Sequence, residues 1–290
     1  MRHRLGVSGG PVPRDPDAVT PALARELAEL GVSAVVTHFT PAPAAMVAGQ
    51  ARRVRQVLAE AGIRVVQATG YNPNMVHPDG DARRADLERL RAAFDAARLL
   101  GAEMIISGCG SHHPSFFYGP ARDNHTQQAR DRLVASLRQA APWAESAGVV
   151  LALECHVQTT LDTPTHIREV LDAVDSPWVR ANFDPVNLLG DLPTVFASGQ
   201  AMRHMWATIG PRYAPSAHFK DVGVRPELVV HIDEMAPGEG ILDLDTFFAV
   251  CRELGDGAAI VVEHLPADQA RAALAFTRRR AAEAGITWQA

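Results

Sequence analysis

The chain has 290 residues, 47% of them hydrophobic, and its 28 Lys plus Arg against 33 Asp plus Glu give a formal net charge of -5. The apolar fraction excludes a disordered chain, and the negative charge gives no general attraction for nucleic acid or anionic membranes. Cys109, Cys155 and Cys251 have no CxxC spacing, which argues against a disulfide framework. Since the sequence shows neither a signal peptide nor an apolar run of about 18 residues, we expect a cytoplasmic protein.

One unit recurs along the chain: an alanine- and leucine-rich segment ends at Gly, and a short β-rich run follows. Examples are LAELG before VSAVV, LAEAG before IRVVQ and AESAG before VVLAL. Gly suits the left-handed residue that closes a helix, and the apolar run is typical of a buried strand. In chain order, the predicted strands are 4–8, 33–38, 63–68, 103–107, 149–154, 179–184, 215–219 and 258–263. The predicted helices are 16–30, 44–61, 81–100, 125–147, 164–174, 192–209, 243–254 and 266–284.

Eight strands that alternate with eight helices predict a single-domain (β/α)₈ TIM barrel over residues 1–290. The alternative is an open doubly wound sheet, which would be favoured by a Gly-rich phosphate loop after the first strand. The run VSGGPVP at 7–13 contains no GxGxxG, so the closed barrel is preferred. The predicted helix caps are Asp81, Asn124, Thr163 and Asp243.

Polar side chains close the last four predicted strands, and TIM-barrel sites sit at the C-terminal strand ends. Buried carboxylates are costly unless they are paired or bind a metal. Three carboxylates and one imidazole suit Mn²⁺ first, with Mg²⁺, Co²⁺ and Zn²⁺ as further candidates. The predicted metal ligands, one per strand end, are Glu154, Asp184, His218 and Glu263.

Other polar residues are placed to line the same mouth, where sugar hydroxyls need hydrogen-bond partners. His38 ends the second strand, and His112 follows the fourth. Lys220 shares a strand face with His218, and we expect it to neutralise charge or to pair with Asp221. By the same alternation His264 faces away from its neighbour on the last strand, which predicts a packing or helix-entry residue.

At these strand ends the sequence resembles the xylose isomerase-like superfamily, often labelled sugar phosphate isomerase/epimerase. The matching segments are LALECH, NFDPVN, AHFKD, PGEG at 237–240 and VVEHL, and the resemblance covers essentially the whole chain. It implies one divalent metal on the four residues named above. Asn187 stands where ketose epimerases have a His, and Arg225 matches their substrate-binding Arg only approximately.

The superfamily also contains endonuclease IV-type repair enzymes, which use three zinc ions. His231 resembles one of their ligands, but the end of the third strand reads QATGYNPN and has no His. Together with the acidic composition, the missing ligands argue against a role in DNA repair.

The residues and the resemblance predict a metal-dependent isomerase or epimerase acting on a ketose or related hydroxy-ketone. Glu154 and Glu263 would take and return a proton, and the metal would stabilise the enediolate between the two steps. The predicted substrate-binding residues are His156, Asn187, Lys220, His231, Arg225, His112 and His38.

Three alternatives stay open at this point. A C-glycoside deglycosidase-like lyase would eliminate an aglycone from a 3-oxo-glycoside, with the long loop after the seventh strand building its pocket from His156 and His231. An inosose-type dehydratase would use the same first step. A sugar-binding protein would have kept the barrel and lost catalysis. The expected partner is a small sugar or oxidised glycoside, and self-association into a homo-oligomer is left open.

Overall fold

The computed structural model describes residues 1–39 and 48–289. Its strands are β1 (Arg2–Gly9), β2 (Ala34–Thr37), β3 (Arg64–Ala68), β4 (Met104–Gly108), β5 (Val150–Glu154), β6 (Val179–Phe183), β7 (Tyr213–Phe219), β8 (Asp221–Val224), β9 (Ile232–Met235), β10 (Ala259–Leu265) and β11 (Thr287–Trp288). Strands β1 to β7 and β10 pair in parallel, and the pairing of β10 with β1 closes the ring. This closure confirms the (β/α)₈ barrel and excludes the open sheet.

Helices alternate with the barrel strands. They are α1 (Pro21–Glu29), α2 (Ala48–Glu60), α3 (Gly80–Leu100), α4 (Gln127–Ala147), α5 (Pro164–Val174), α6 (Leu192–Phe196), α7 (Ser198–Ile209), α8 (Leu244–Glu253) and α9 (Ala267–Glu283). The single helix predicted at 192–209 is two, because Ala197 leaves the helical conformation between them. Residues 44–47 of the helix predicted at 44–61 lie outside the described residues.

Two predicted helix caps are wrong, each by two positions. The side chain of Asp79 accepts the first free N–H groups of α3, among them that of Asp81 itself. Thr126 caps α4, while Asn124 is buried in a 3₁₀ turn just before it. Both errors follow from choosing one of several capping residue types that stand close together. The other two predicted caps, Thr163 and Asp243, are confirmed.

Because side chains alternate between the two faces of a strand, polar side chains at the strand ends point into the barrel. A small apolar cluster fills the barrel interior and includes Ala152, Ala214 and Val261. Because side chains two apart share a face, Glu154 continues the row of Ala152 and Glu263 continues the row of Val261. The inner faces of neighbouring strands therefore deliver their last side chains to one mouth.

The loop after β7 folds back as an antiparallel hairpin of β8 and β9. The carboxylate of Asp221 accepts backbone N–H groups from Val222 at 2.9 Å, Gly238 at 3.1 Å and Leu242 at 2.9 Å. A Cβ at Gly240 would lie 2.4 Å from Asp221 Oδ1, so the PGEG segment packs directly on this carboxylate. Asp221 thus fixes the hairpin, and it is the anion that the Gly238 amide binds.

In the parts of the chain that the structure describes, none of the helices combines the length and the apolar character that crossing a membrane requires. The cytoplasmic location and any homo-oligomer stay predictions.

The outer core between strands and helices contains an aromatic cluster centred on Phe247, whose ring lies 4.7 Å from that of Phe219 and 5.9 Å from that of Phe183. We expect Phe247→Ala to lower the free energy of unfolding by about 3–5 kcal/mol, because it leaves a buried cavity. Urea denaturation measures this loss. Phe196, which is 69% exposed on α6, provides the control, since Phe196→Ala should change stability by less than about 0.5 kcal/mol. Equal losses in both variants would contradict the packing described.

Candidate metal centre and active site

Four residues from four strand ends converge at the barrel mouth. Glu154 ends β5, Asp184 follows β6, His218 lies in β7 and Glu263 lies in β10. One ligand atom from each lies within 4.8 Å of all the others. His218 Nδ1 is 3.0 Å from Glu263 Oε2, 3.4 Å from Asp184 Oδ2 and 3.6 Å from Glu154 Oε1. The structure therefore brings together the four residues that the sequence nominated.

The imidazole of His218 is held with one nitrogen facing these carboxylates. Its Nε2 lies 2.9 Å from Gln67 Oε1 and donates to it. The Gln67 amide is itself oriented, because its Nε2 donates to Ser216 Oγ at 2.7 Å and to Asn182 Oδ1 at 3.2 Å. His218 Nδ1 therefore presents its lone pair to the acidic side of the site, which is the arrangement of a metal-binding histidine with an outer hydrogen-bond partner.

Among the residues that the structure describes, two buried atoms at this point have no hydrogen-bond partner: His218 Nδ1 and Asp184 Oδ1. Buried polar atoms in native proteins are almost always satisfied, and an orphaned one indicates a missing ion or water. A lone pair that faces carboxylate oxygens is repulsive unless a cation lies between them. The residues present thus fit one divalent ion.

Protons compete with a cation for this site. Burial alone would lower the pKa of His218, but the Glu263 charge and the neighbouring carboxylates of Asp184 and Glu154 raise the pKa well above its ordinary value. Without a cation the imidazole accordingly takes up a proton. Since a ligating imidazole must be neutral, metal binding at His218 releases that proton.

Lys220 is a fully buried ammonium beside the ligands. Its Nζ lies 2.7 Å from Glu263 Oε1 and 2.9 Å from Asp184 Oδ2. Burial lowers its pKa, but the charges of Asp184 and Glu263 more than offset this effect and raise the pKa, so the group stays charged. One ammonium against the three carboxylates of the cluster leaves two negative charges, which a divalent cation balances. Of its two expected roles, Lys220 therefore neutralises charge and does not pair with Asp221, whose carboxylate accepts backbone N–H groups of the hairpin region.

Tyr118 is a site residue that the sequence reasoning missed. Its hydroxyl donates to Glu154 Oε2 at 2.7 Å, and its ring centroid lies 4.6 Å from that of His156. Burial and the Glu154 charge raise the pKa of Tyr118 far above its ordinary value, so the hydroxyl remains a donor. A Cβ at Gly108 would lie 2.4 Å from the Tyr118 ring, so a Gly is needed beside this ring. This Gly at the end of β4 is the feature of the sequence that could have indicated a bulky neighbour.

Asn187 connects two parts of the site. Its Nδ2 donates to Asp184 Oδ2 at 2.8 Å and lies 3.3 Å from His156 Nε2. His156 Nε2 is in turn 3.6 Å from Glu154 Oε2. The amide therefore stands between a proposed metal ligand and a proposed substrate-binding residue.

His264 lies in the mouth, and the prediction that it faces away from Glu263 is wrong. Its backbone φ is 60°, a left-handed conformation that takes its side chain out of the strand alternation. Its Nδ1 lies 2.9 Å from Glu234 Oε1, and its Nε2 is 3.9 Å from Glu263 Oε2. The hydrogen bond to Glu234 raises the pKa of His264. Glu234, supplied by the β8–β9 hairpin, was also missed.

An open cavity of about 640 Å³ leads to these groups. Glu154, His156 and His218 form part of its wall. His38 also lines it, with its ring so close to Gly70 that a Cβ there would lie 2.3 Å away. Burial and the nearby Arg14 charge lower the pKa of His38.

Five predicted substrate-binding residues are not among the described residues that line this cavity: Asn187 and Lys220, which contact the metal-ligand cluster, and His112, Arg225 and His231. The His112 ring is held between Asn124 Oδ1 at 3.2 Å and Arg132 at 3.0 Å. Arg225 and His231 lie on the β8–β9 hairpin, where Arg225 pairs with Asp233 at 2.7 Å. A substrate contact by any of the five stays a prediction.

We expect native protein to contain one divalent ion per chain and Asp184→Ala to lose most of it, because Asp184 is wholly buried and offers an unpaired oxygen to the cluster. Elemental analysis after extensive dialysis measures the content. The metal should also raise the melting temperature of the native chain, since it binds only the folded site. Asp162→Ala is the control, because Asp162 pairs with His125 and His166 outside the cluster. Equal metal content in native protein and Asp184→Ala would remove Asp184 from the ligand set.

Comparisons with known proteins agree with the fold. A family model described as the xylose isomerase-like TIM barrel matches residues 24–280. D-Psicose 3-epimerase in the presence of D-fructose has a TM-score of 0.71 and 17% identity, over 97% of this chain and 99% of that chain. The 3-keto-D-glucoside 4-epimerase from E. coli has a TM-score of 0.68 and 18% identity, over 96% and 100% of the two chains.

A xylose isomerase-like TIM barrel protein from Mycobacterium smegmatis in complex with magnesium has a TM-score of 0.69 and 19% identity, over 91% of this chain and 87% of that chain. A comparison with curated proteins gives no match. Identities this low establish a common fold and leave the reaction to the geometry of the site. The family model covers most of the described chain, and this protein therefore belongs to the xylose isomerase-like TIM barrel family.

Proposed function

We propose that this protein is a divalent-metal-dependent isomerase or epimerase of a ketose or related hydroxy-ketone. The observation that carries the proposal is the unpaired Nδ1 of His218, buried against three carboxylates at the C-terminal mouth of the barrel. Mn²⁺ is the ion we propose first, since oxygen ligands with one imidazole suit it. Mg²⁺, Co²⁺ and Zn²⁺ are alternatives that the same donor set accepts. The two sugar epimerases of the same fold support a sugar-like substrate.

The chemistry begins at a C–H bond next to a ketone. When bound, a divalent cation supplies Lewis acidity that stabilises negative charge on the carbonyl oxygen. The protein supplies the bases. Burial raises the pKa of Glu154, but the neighbouring imidazoles of His156 and His218 bring the pKa well below its ordinary value. For Glu263, burial raises the pKa, but the charges of His218 and Lys220 have the larger effect and hold the pKa below its ordinary value. Both carboxylates are therefore ionised at neutral pH, which is the form that a proton acceptor needs.

Glu154 and Glu263 approach the mouth from different sides. Strands β6 and β7 separate β5 from β10 in the barrel, and both carboxylates line the cavity. We propose that one takes the substrate proton and the other returns one. Return to the opposite face of the same carbon gives an epimer, and return to the neighbouring carbon gives an isomer.

Hydrogen bonds hold each carboxylate in place for this role. Tyr118 holds Glu154 Oε2 at 2.7 Å, and Lys220 holds Glu263 Oε1 at 2.7 Å. Fixed acid and base groups lower the entropic cost of reaching the reacting geometry. His156, His38 and His264 line the cavity and would bind substrate hydroxyls.

A lyase is the second candidate, because the same proton abstraction permits loss of a β-substituent. The cavity of about 640 Å³ is large enough to admit a sugar that carries such a substituent. The expected contribution of His231 to a lyase pocket finds no support, since His231 does not line the cavity.

We expect Glu154→Gln and Glu263→Gln each to abolish turnover more completely than metal binding, because each residue is proposed to act both as ligand and as proton carrier. Exchange of deuterium from solvent into the substrate C–H reports the abstraction step by NMR. Glu239→Gln, at an exposed position of the hairpin region, is the matched control and should exchange normally. Normal exchange in both site variants would exclude these residues from the chemistry.

We expect Asn187→Ala to lower kcat/KM by about tenfold to a hundredfold, the loss of one or two hydrogen bonds at a reacting site. Metal content and fold should hardly change, which elemental analysis and circular dichroism check. Asn187→His tests whether the residue found in ketose epimerases is tolerated. If both variants lose thermal stability while the remaining folded enzyme keeps a normal kcat/KM, Asn187 only stabilises the turn after β6 and does not contact substrate.

A further inference from the structure

We propose that the face of the barrel opposite the mouth carries a binding site for the phosphate group of a small phosphorylated metabolite. The site is a cavity of about 490 Å³, bordered by the ends of α2 and α3 and by the starts of β1, β2 and β3. We call it the basic cavity, and the lining residues that matter here are Arg4, Arg55 and Arg64, together with Ser33, Gly62 and Gly101. The inference goes beyond the proposed function and does not depend on it.

The topology separates the basic cavity from the mouth. Arg64 is the first residue of β3 and Ser33 directly precedes β2, whereas Glu154 ends β5 and Glu263 lies near the end of β10. Because the barrel strands are parallel, their starts lie at the face opposite the mouth. The described residues that line the two cavities do not overlap. A ligand in the basic cavity would therefore leave the mouth free for substrate.

The charge of the basic cavity is positive and only partly neutralised. Arg4 is buried and already paired, since its guanidinium donates to both carboxylate oxygens of Glu103 and its Nε donates to the Gly257 carbonyl at 2.7 Å. Arg55 and Arg64 form no ion pair with any residue that the structure describes, and none of the described lining residues is acidic. Two guanidinium charges thus line one cavity without a counter-charge, in a chain whose formal net charge is -5.

The wall of the basic cavity holds one of these groups in place and leaves room beside it. A Cβ at Gly101 would lie 2.7 Å from Arg55 Nε and 3.1 Å from its Cζ, so the guanidinium packs directly on this Gly. A Cβ at Gly62 would meet no heavy atom within 4 Å, which shows open space there. The buried Oγ of Ser33 has no hydrogen-bond partner among the described residues, and a rotation of this side chain would supply one hydroxyl donor.

Two unpaired guanidinium groups match a dianion. A phosphomonoester carries about -1.5 to -2 charges at pH 7, and the planar fork of an Arg bonds two of its oxygens at once. A carboxylate would balance only one of the two charges. The volume of about 490 Å³ lies within the range of about 300–1,000 Å³ that small-molecule ligands occupy, so an organic group attached to the phosphate fits as well.

The test is calorimetry on Mg²⁺-loaded protein with glycerol 3-phosphate, inorganic phosphate and glycerol as probes. We expect both phosphates to bind and glycerol not to bind. Arg55→Ala and Arg64→Ala should each weaken glycerol 3-phosphate binding at least about tenfold, because charge-assisted hydrogen bonds are lost. Ala59→Glu should weaken it similarly, since it adds a carboxylate to the lining. Arg52→Ala, at an exposed position of the same helix outside the lining, is the matched control and should keep the native Kd.

Failure of the native protein to bind either phosphate would overturn the site. A native Kd in both Arg55→Ala and Arg64→Ala would also overturn it, because the phosphate would then bind elsewhere, for example at the mouth. An equal loss in Arg52→Ala would reduce the effect to general charge attraction, and binding of inorganic phosphate alone would contradict the metabolite. Deuterium exchange into D-fructose, which tests the mouth, should be the same in native protein and in all four variants.

Discussion

The site depends on one imidazole nitrogen whose lone pair is buried against negative charge. Gln67 accepts the hydrogen of His218 Nε2, so Nδ1 is left facing Glu154, Asp184 and Glu263. Without a counter-ion this arrangement is unfavourable, so the imidazole must either take up a proton or bind a cation. The fold stabilises the arrangement because Gln67 is itself held by Ser216 inside the barrel. The proposed metal and the proposed proton transfer both follow from this constraint.

The barrel explains why these groups meet and why their charge is tolerated. Residues two apart along a strand share a face, so Glu154 follows Ala152 and Glu263 follows Val261 on the inner face, and both reach the mouth. Lys220 then neutralises part of the resulting charge, because its Nζ contacts both Asp184 and Glu263. Burying an unpaired ammonium would be costly, whereas here it is paired on two sides. A divalent cation held by Glu154, Asp184, His218 and Glu263 would complete the balance.

Much of this was accessible from sequence, for a physical reason. The end of a buried strand is visible as the residue where an apolar run stops, and parallel strands in a barrel end on the same side. The barrel and the meeting of Glu154, Asp184, His218 and Glu263 were therefore predictable. Alternation also assigned Lys220 to the face of His218, although it missed the partners that Lys220 contacts across the barrel.

Other features depend on contacts that a linear pattern does not carry. The left-handed backbone of His264 breaks the alternation from which its direction was inferred. Tyr118 lies 36 residues from Glu154 in a loop without periodicity, so only the fold brings the two together. Glu234 enters through the β8–β9 hairpin, and the segment after this hairpin is fixed by the Asp221 carboxylate, which accepts the N–H groups of Gly238 and Leu242.

The most direct test is to locate the cation itself. Crystals of the protein loaded with Mn²⁺, measured at the manganese absorption edge, give an anomalous difference map that shows where the ion lies. The account predicts one strong peak per chain, about 2.0–2.3 Å from His218 Nδ1 and from oxygens of Glu154, Asp184 and Glu263. It also predicts that His218 Nε2 keeps its hydrogen bond to Gln67. A map with no peak between these four residues, or with its strongest peak elsewhere, would contradict the account.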